Sequence, residues 1–370
     1  MSTAGARKDF GPLLLSGPCL GFGGWAVGGT AWGAATDVAE RLGAIQLAFD
    51  RGITFFDTAP TYGDGESERL LGQALRPVRD RVVIATKVGP RDDPRASLAR
   101  SLERLGTDYV DLVQLHETGP DWERQIERLS ALKDDGLARA IGLCNASARQ
   151  LQRAAELAPL ASFQAAYNLF DRDVESRTLA VCRERGLAFL AYRPLAAGLL
   201  SGKFDQPPAF PPDDHRERIY WFRGREFERR GAVIARLRPL AERLGLALPV
   251  LALRWLLAQA GVTVVLAGAR SRAQVDQNLA AMEGPLPAAA VTEIDRLVAE
   301  AFRLPRATPA AREQAAGWGV RERFIVERLD GTHTAETIAA EWSERDDPPM
   351  VAAQVKVFAD QLRASGLAGV

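Results

Sequence analysis

Thr54-Phe55-Phe56-Asp57-Thr58-Ala59-Pro60-Thr61-Tyr62-Gly63 decides the fold of this 370-residue chain. Ile53 to Phe56 are β-branched or aromatic and follow a helical run that ends at Gly52, a pattern that predicts a buried strand. The strand breaks at Asp57. A proline-containing loop then presents Tyr62 just before Gly63, and Glu66-Ser67-Glu68 starts a helix. A carboxylate at a strand end, with a phenol in the loop after it, suits proton chemistry at the carboxyl face of a parallel sheet, where α/β folds place their sites. Taken alone, the stretch is equally well an aspartate capping a turn with a tyrosine covering it.

Spacing separates the two readings. Val82-Val83-Ile84-Ala85-Thr86-Lys87 is a second apolar run ending in a charge. A third, Tyr109-Val110-Asp111-Leu112-Val113-Gln114-Leu115-His116, ends in a histidine. Asp57, Lys87 and His116 sit one strand-plus-helix unit apart, and the ends of parallel strands wound with one hand converge. Further apolar runs at 138–143, 163–165, 187–192 and 262–266 alternate with helical patterns. Together with a short hairpin at 11–25 running into a first strand, they predict an eight-stranded (β/α)₈ barrel. Asp37 with Glu40 has the spacing of a capping box, and Asp93-Pro94 that of an N-cap and first-turn pair. Gly21-Phe22-Gly23-Gly24-Trp25-Ala26 matches a GxGxxA fingerprint only on paper, because Gly28-Gly29 and Trp32-Gly33 cannot open the helix that would hold a pyrophosphate. That segment is better taken as an active-site loop, with Trp25 and Trp32 either lining a substrate pocket or packing. Residues 193–227 break the rhythm with Pro207-Pro208, Pro211-Pro212 and Tyr220-Trp221-Phe222, and a connection of that length is usually functional.

FFDTAPTYG (55–63) and SLERLGTDYVDLVQLH (101–116) also carry a family signature, and from Gly17 to Ala301 the chain resembles the aldo-keto reductases. The resemblance implies that Asp57, Tyr62, Lys87 and His116 form the catalytic tetrad of an enzyme reducing an aldehyde or ketone, a sugar or keto-sugar being among the compatible substrate classes, with NADPH. Such chemistry needs a hydride donor, a proton donor for the developing alkoxide and a group that polarises the oxygen. In that scheme Tyr62 gives the proton and Lys87 lowers its pKa. Asp57 holds the charge on Lys87, and His116 orients the carbonyl oxygen. For NADPH/NADP+ the resemblance points to Asn145 and Gln164 on the carboxamide and Tyr192 stacked on the ring. It places the loop Arg193, Leu195, Gly198, Leu200, Ser201 and Lys203 over the pyrophosphate. Gly268, Arg270, Arg272, Gln274 and Asn278 fall at the adenosine phosphate. Two guanidiniums there favour a 2′-phosphate; Tyr192 as a barrel-top aromatic and the arginines as surface charges are the plainer readings. Cys144 and Arg193 each replace a serine more usual in the family.

Lysine plus arginine balance aspartate plus glutamate at 47 each, so no global charge draws nucleic acid or an anionic membrane. No apolar run reaches the length of a membrane span, and residues 1–9 have no signal-peptide core. Cys19, Cys144 and Cys182 lack metal or disulfide spacing and suit a reducing cytoplasm; no metal is expected. The expected organisation is a barrel over 1–303, a linker over 304–316 and a small helical region over 317–370. The last resembles, in its helices, PqqD-like winged-helix modules that bind peptides. It carries six Lys/Arg against nine Asp/Glu, which argues against DNA. A cap on the barrel, a dimer contact, or a docking unit for a peptide or protein partner that delivers substrate all remain open. A nucleotide-sensing subunit with little turnover is the alternative to an enzyme.

Overall fold

The computed structural model describes residues 9–10, 13–14, 20–34, 36–302, 306–330, 333–343 and 352–369. Eight parallel strands close into a barrel: β1 (Leu20–Gly23), β2 (Phe55–Asp57), β3 (Val83–Val88), β4 (Val110–Leu115), β5 (Ala138–Cys144), β6 (Leu160–Ala166), β7 (Ala188–Tyr192) and β8 (Val262–Gly268). Each strand pairs with its sequence neighbours, and β8 returns to β1 with Gly268 opposite Gly23. The alternation of strand side chains sorts the core into two shells. Phe55, Ala85, Leu112, Ala140, Leu190 and Val264 point into the barrel. Phe56, Ile84, Val113, Ile141, Phe163 and Phe189 point outward against the helices. The small alanines leave room inside for the charged groups at the strand ends.

The expected hairpin is seen as Asp9–Phe10 paired antiparallel with Leu13–Leu14; Cys19 lies outside the described residues. Helix α1 (Val38–Asp50) starts at Asp37, whose carboxylate accepts from the amide of Ala39. The capping box does not close, because Glu40 is drawn away: its Oε1 accepts from the backbone N of Arg272 at 3.0 Å. Helix α2 (Glu66–Leu75) packs on α3 (Pro94–Leu105), which begins as expected with Asp93 capping Ala96 and Pro94 in the first turn. At Gly72 the two helices nearly touch. A Cβ there would lie 2.3 Å from the carbonyl oxygen of Leu105, and backbone cannot retreat as a side chain can. Gly72→Ala is therefore expected to destabilise the protein by about 1–3 kcal/mol despite alanine's helix propensity. Chemical denaturation with an unchanged midpoint would refute it.

Helix α4 (Trp122–Asp134), α5 (Ala148–Leu157) and α6 (Thr178–Glu184) follow β4, β5 and β6. Two helices, α7 (Gly224–Arg243) and α8 (Leu248–Leu257), lie between β7 and β8, and α9 (Arg272–Leu279) and α10 (Ala288–Phe302) follow β8. The 193–223 connection is folded around an aromatic cluster in which Phe222 lies 5.5 Å from Phe204 and 4.8 Å from Phe210, ring to ring.

The tail has its own apolar core. Helices α11 (Pro309–Gln314), α12 (Val320–Arg328), α13 (Ala335–Ser343) and α14 (Ala352–Ala364) bury Phe324, Ile338, Trp342, Val355 and Leu362 together. The linker expected over 304–316 is corrected here. Arg306–Ala307 pairs antiparallel with Ala368–Gly369, and Ala307, Ala311 and Ala315 belong to the tail core. Thr308 caps α11 and Pro309 takes its first turn, so an alanine- and proline-rich composition serves a short helix packed closely. Residues 303–305, Gly331 and Val351 lie outside the described residues. Lys356 of α14 pairs with Glu226 of α7, which also holds the buried Arg230.

Candidate active site

Asp57 closes β2 and Lys87 lies near the end of β3, one strand over, so their side chains meet at the carboxyl mouth of the barrel. Lys87 Nζ donates to Asp57 Oδ1 at 2.6 Å, to the carbonyl of Thr58 at 2.9 Å and to the Tyr62 hydroxyl at 3.1 Å. Asp57 Oδ2 accepts from the Gln164 side-chain amide at 2.8 Å and from that of Gln114 at 3.4 Å. Asp57 and Lys87 are 3% and 1% exposed, and an ion pair at that depth persists only with its remaining hydrogen-bonding capacity met, as it is here. His116, at the end of β4, faces Tyr62 edge-on with ring centroids 6.0 Å apart. The four expected residues form one constellation.

Burial pulls the Lys87 ammonium down, but Asp57 and then Tyr62 more than offset it, so the lysine stays charged. Burial pushes the Tyr62 phenol up to about 12; Lys87 opposes this, as the sequence implied, without reversing it. Burial, aided by the Lys87 charge, pulls His116 down to about 3 and leaves a neutral imidazole. The site therefore presents two neutral O–H or N–H donors beside one buried cation.

From the tetrad a cavity of about 310 Å³ runs to the end of β8. Of the expected contacts it is lined by Trp25, Trp32, Tyr192, Arg193, Leu195, Gly198, Ser201, Lys203, Gly268, Arg270, Gln274 and Asn278. Trp25 lies flat on Tyr62, 5.3 Å between centroids and 11° between planes, and edge-on to Trp32 at 4.9 Å. Ser201 donates to the carbonyl of Gly198, and Asn278 to that of Gly268. Arg193, Ala196 and Ala197 all have left-handed φ, at 53°, 49° and 57°. That strained backbone is the kind found at ligand-holding loops.

Three expected contacts are placed differently. Arg272 turns onto α1, where Glu40 pairs with it at 3.3 Å. As the first residue of α9, it points across the helix start while Arg270, two residues earlier in the loop, reaches the cavity. Leu200 is buried in the core at 2% exposure and does not line the cavity. Gln164 is turned to Asp57. Asn145 is fixed at both ends of its amide, donating to the carbonyl of His116 at 2.9 Å and accepting from the Tyr192 hydroxyl at 2.9 Å. Cys144 is fully buried, and its thiol is pushed up by that burial.

Sequence reasoning passed over Arg216. Its guanidinium binds Asp214 through two hydrogen bonds at 2.9 and 2.6 Å and lines the cavity beside Lys203 and Arg270. Lys203 is pulled down by burial and then by Arg216 and Arg270, and Arg270 by burial and then by Arg216. Three cations thus share one carboxylate, and the excess positive charge calls for an anion. The only sequence signal for Arg216 was the unusual length of its loop.

Residues 19–299 match the Aldo/keto reductase family. Aldo-keto reductase YhdN of Bacillus subtilis is 38% identical over 274 residues, which cover 70% of this chain and 82% of that protein. The NADH-specific methylglyoxal reductase of Escherichia coli is 33% identical over 312 residues, 76% of this chain and 95% of that protein. An aldo/keto reductase from Klebsiella pneumoniae, solved with NADP and acetate, superposes with a TM-score of 0.62 at 27% identity, over 77% of this chain and 93% of that one. The family match spans all eight barrel strands and stops short of the tail core. On this likeness the chain belongs to the aldo/keto reductase family of oxidoreductases, which reduce carbonyl groups with a nicotinamide nucleotide.

Proposed function

We propose that the protein reduces a small aldehyde or ketone to the alcohol with NADPH and that Tyr62 is the proton donor. The observation that carries this is the continuous Asp57–Lys87–Tyr62 chain, with His116 across from the phenol. The cavity wall suits the nucleotide: an aromatic and apolar end at Tyr192 and Leu195, and a cationic end at Lys203, Arg216 and Arg270. When bound, reduced nicotinamide supplies the hydride for the carbonyl carbon. The neutral His116 holds the carbonyl oxygen by a donated hydrogen bond. As charge develops on that oxygen, Tyr62 transfers its proton to it, forming the O–H bond, and the Lys87 ammonium stabilises the phenolate left behind. Solvent then reprotonates Tyr62.

The E. coli relative is named for NADH, so nucleotide choice rests on this chain's own residues. Arg270 faces the cavity and Arg272 does not. Arg270→Met is expected to lower the preference for NADPH over NADH by roughly 10- to 100-fold, the worth of one charge-assisted hydrogen bond to a phosphate. Arg272→Met should change it far less, and equal effects in competitive nucleotide titrations would contradict the assignment.

The pH profile follows from the two donors. His116 is neutral above its lowered value near 3, and Tyr62 stays protonated below about 12. At saturating NADPH, kcat/KM for the carbonyl is therefore expected to be flat between about pH 5 and 9. An inflection near the ordinary histidine value of about 6.5 that disappears in His116→Gln would contradict this. Because the folded-state pKa is depressed, His116 contributes stability above about pH 6.5 that is lost as the pH falls towards 3.

Steady NADPH oxidation with a panel of small aldehydes and ketones, with alcohol formed in equal amount, tests the activity. Tight nucleotide binding without turnover of any member would overturn it in favour of a nucleotide sensor.

A further inference from the structure

Two cavities open at the barrel mouth. The smaller, of about 260 Å³, lies over Tyr62 and His116, and the larger, of about 310 Å³, ends at Lys203, Arg216 and Arg270. Lys203 and Arg216 both belong to the 193–223 connection, a segment of loops and short 3₁₀ turns. Aromatic packing fixes them. Lys203 Nζ lies 4.9 Å from the ring centre of Phe204 and the Arg216 guanidinium 4.5 Å from that of Phe210, and both rings pack edge-on against Phe222.

Phe222 stands two residues before α7, at the root of the connection, and a buried charge supports that root. Arg230 of α7 is 0% exposed. Its guanidinium lies 5.0 Å from the ring centre of Trp221, 5.6 Å from that of Tyr220 and 5.2 Å from that of Phe302. Nη1 donates to the carboxylate and the backbone carbonyl of Glu226, while Nε and Nη2 have no hydrogen-bond partner. Among the described residues Glu226 is the one carboxylate paired with Arg230, and a buried cation left without its counter-ion is strongly unfavourable.

Lys356, on α14 of the tail, sets where that carboxylate points. It takes Glu226 Oε1 and leaves Oε2 to Arg230. Partial burial opposes the charge on Glu226, but Lys356 and Arg230 hold its carboxyl below the usual range, so it stays ionised at neutral pH. The Glu226 side chain is 20% exposed. Without Lys356 it can turn to water, and Arg230 loses its fixed partner.

We propose that Lys356 is a positioning residue: by fixing Glu226 and Arg230 it lets the tail hold the root of the 193–223 connection, which keeps Lys203 and Arg216 on the cavity wall and slows release of the nucleotide. This rests on the larger cavity taking the nucleotide. Among the described residues none from the tail lines either cavity, so Lys356 acts only through the connection.

The test compares full-length wild type with Lys356→Met, Lys356→Arg and, as a control one residue on, Val357→Ser at an exposed position. Stopped-flow fluorescence after mixing with excess NADP+ reads the rate at which bound NADPH leaves. In the nucleotide-free protein, tryptic cleavage after Arg216, Arg218 and Arg223 reads the connection itself. Lys356→Met is expected to raise both rates about 3- to 30-fold, the span of coupling that such networks carry, with Lys356→Arg near wild type and Val357→Ser unchanged. A lower unfolding midpoint with both rates unchanged is what a merely structural ion pair would give, and it overturns the proposal. Faster cleavage without faster release, or an equal effect of Val357→Ser, overturns it too. A wild type that does not bind NADPH saturably would count against the nucleotide reading alone. The cleavage rates would then decide: a rise confined to Lys356→Met supports positioning of the connection by the tail, and equal rates overturn it.

Discussion

Tyr62→Phe is expected to lower the rate of carbonyl reduction by about 10²- to 10⁴-fold, the range for loss of a positioned general acid, with nucleotide affinity near the wild-type level. The substitution removes one oxygen and little else. Phenylalanine keeps the ring that Trp25 covers at 5.3 Å. Lys87 keeps its bonds to Asp57 at 2.6 Å and to the carbonyl of Thr58 at 2.9 Å, so its charge remains compensated. His116 can still hold the carbonyl oxygen, but as a neutral imidazole in a buried site it is a donor without the phenol's link to a cation. The loss falls on kcat and kcat/KM together, the signature of an interaction made in the transition state.

Lys87→Met acts on both chemistry and stability. Methionine fills similar volume but leaves Asp57, 3% exposed, with only the amides of Gln164 and Gln114. Breaking a buried pair from one side costs about 3–5 kcal/mol, and thermal or denaturant unfolding should show it. Activity falls at least as far as in Tyr62→Phe, because the charge that lowers the Tyr62 pKa against burial is gone. Asp57→Asn combined with Lys87→Met separates the effects. The double variant should recover stability, since no uncompensated charge remains, and should recover no activity. Recovery of turnover in the double variant would show that Lys87 acts only as a structural partner of Asp57.

The barrel and the meeting of Asp57, Tyr62, Lys87 and His116 at its mouth were legible because both depend on local pattern. Apolar runs ending at Asp57, Lys87 and His116 recur with a constant unit, and parallel winding brings such ends together whatever the details of packing. The wall of the larger cavity was legible only in part. Arg270 and Arg272 look equivalent in sequence, yet α9 begins between them, and Glu40 captures the second. Glu40 had been expected to complete a capping box with Asp37; the stronger attraction of a guanidinium and a helix-start amide redirected it. Arg216 and His215 lie in the 193–223 connection, which has no periodicity from which their direction can be read. Gln164 and Asn145 were found as polar groups at the right strand ends, but amides take whichever donor or acceptor lies nearest. Here those partners are Asp57, His116 and Tyr192. In the tail, alanine and proline suggested a linker because small residues carry little pattern, although the same residues allow α11 to pack closely.

The most direct test of Tyr62 as proton donor is single-turnover oxidation of bound NADPH by a saturating carbonyl, in H₂O and in D₂O, for wild type and Tyr62→Phe. Single turnover isolates the chemical step from product release. The account predicts a wild-type step that slows in D₂O and a Tyr62→Phe step slower by about 10²-fold or more. A Tyr62→Phe step as fast as wild type, with the same solvent isotope effect, would contradict it and place the proton donor elsewhere.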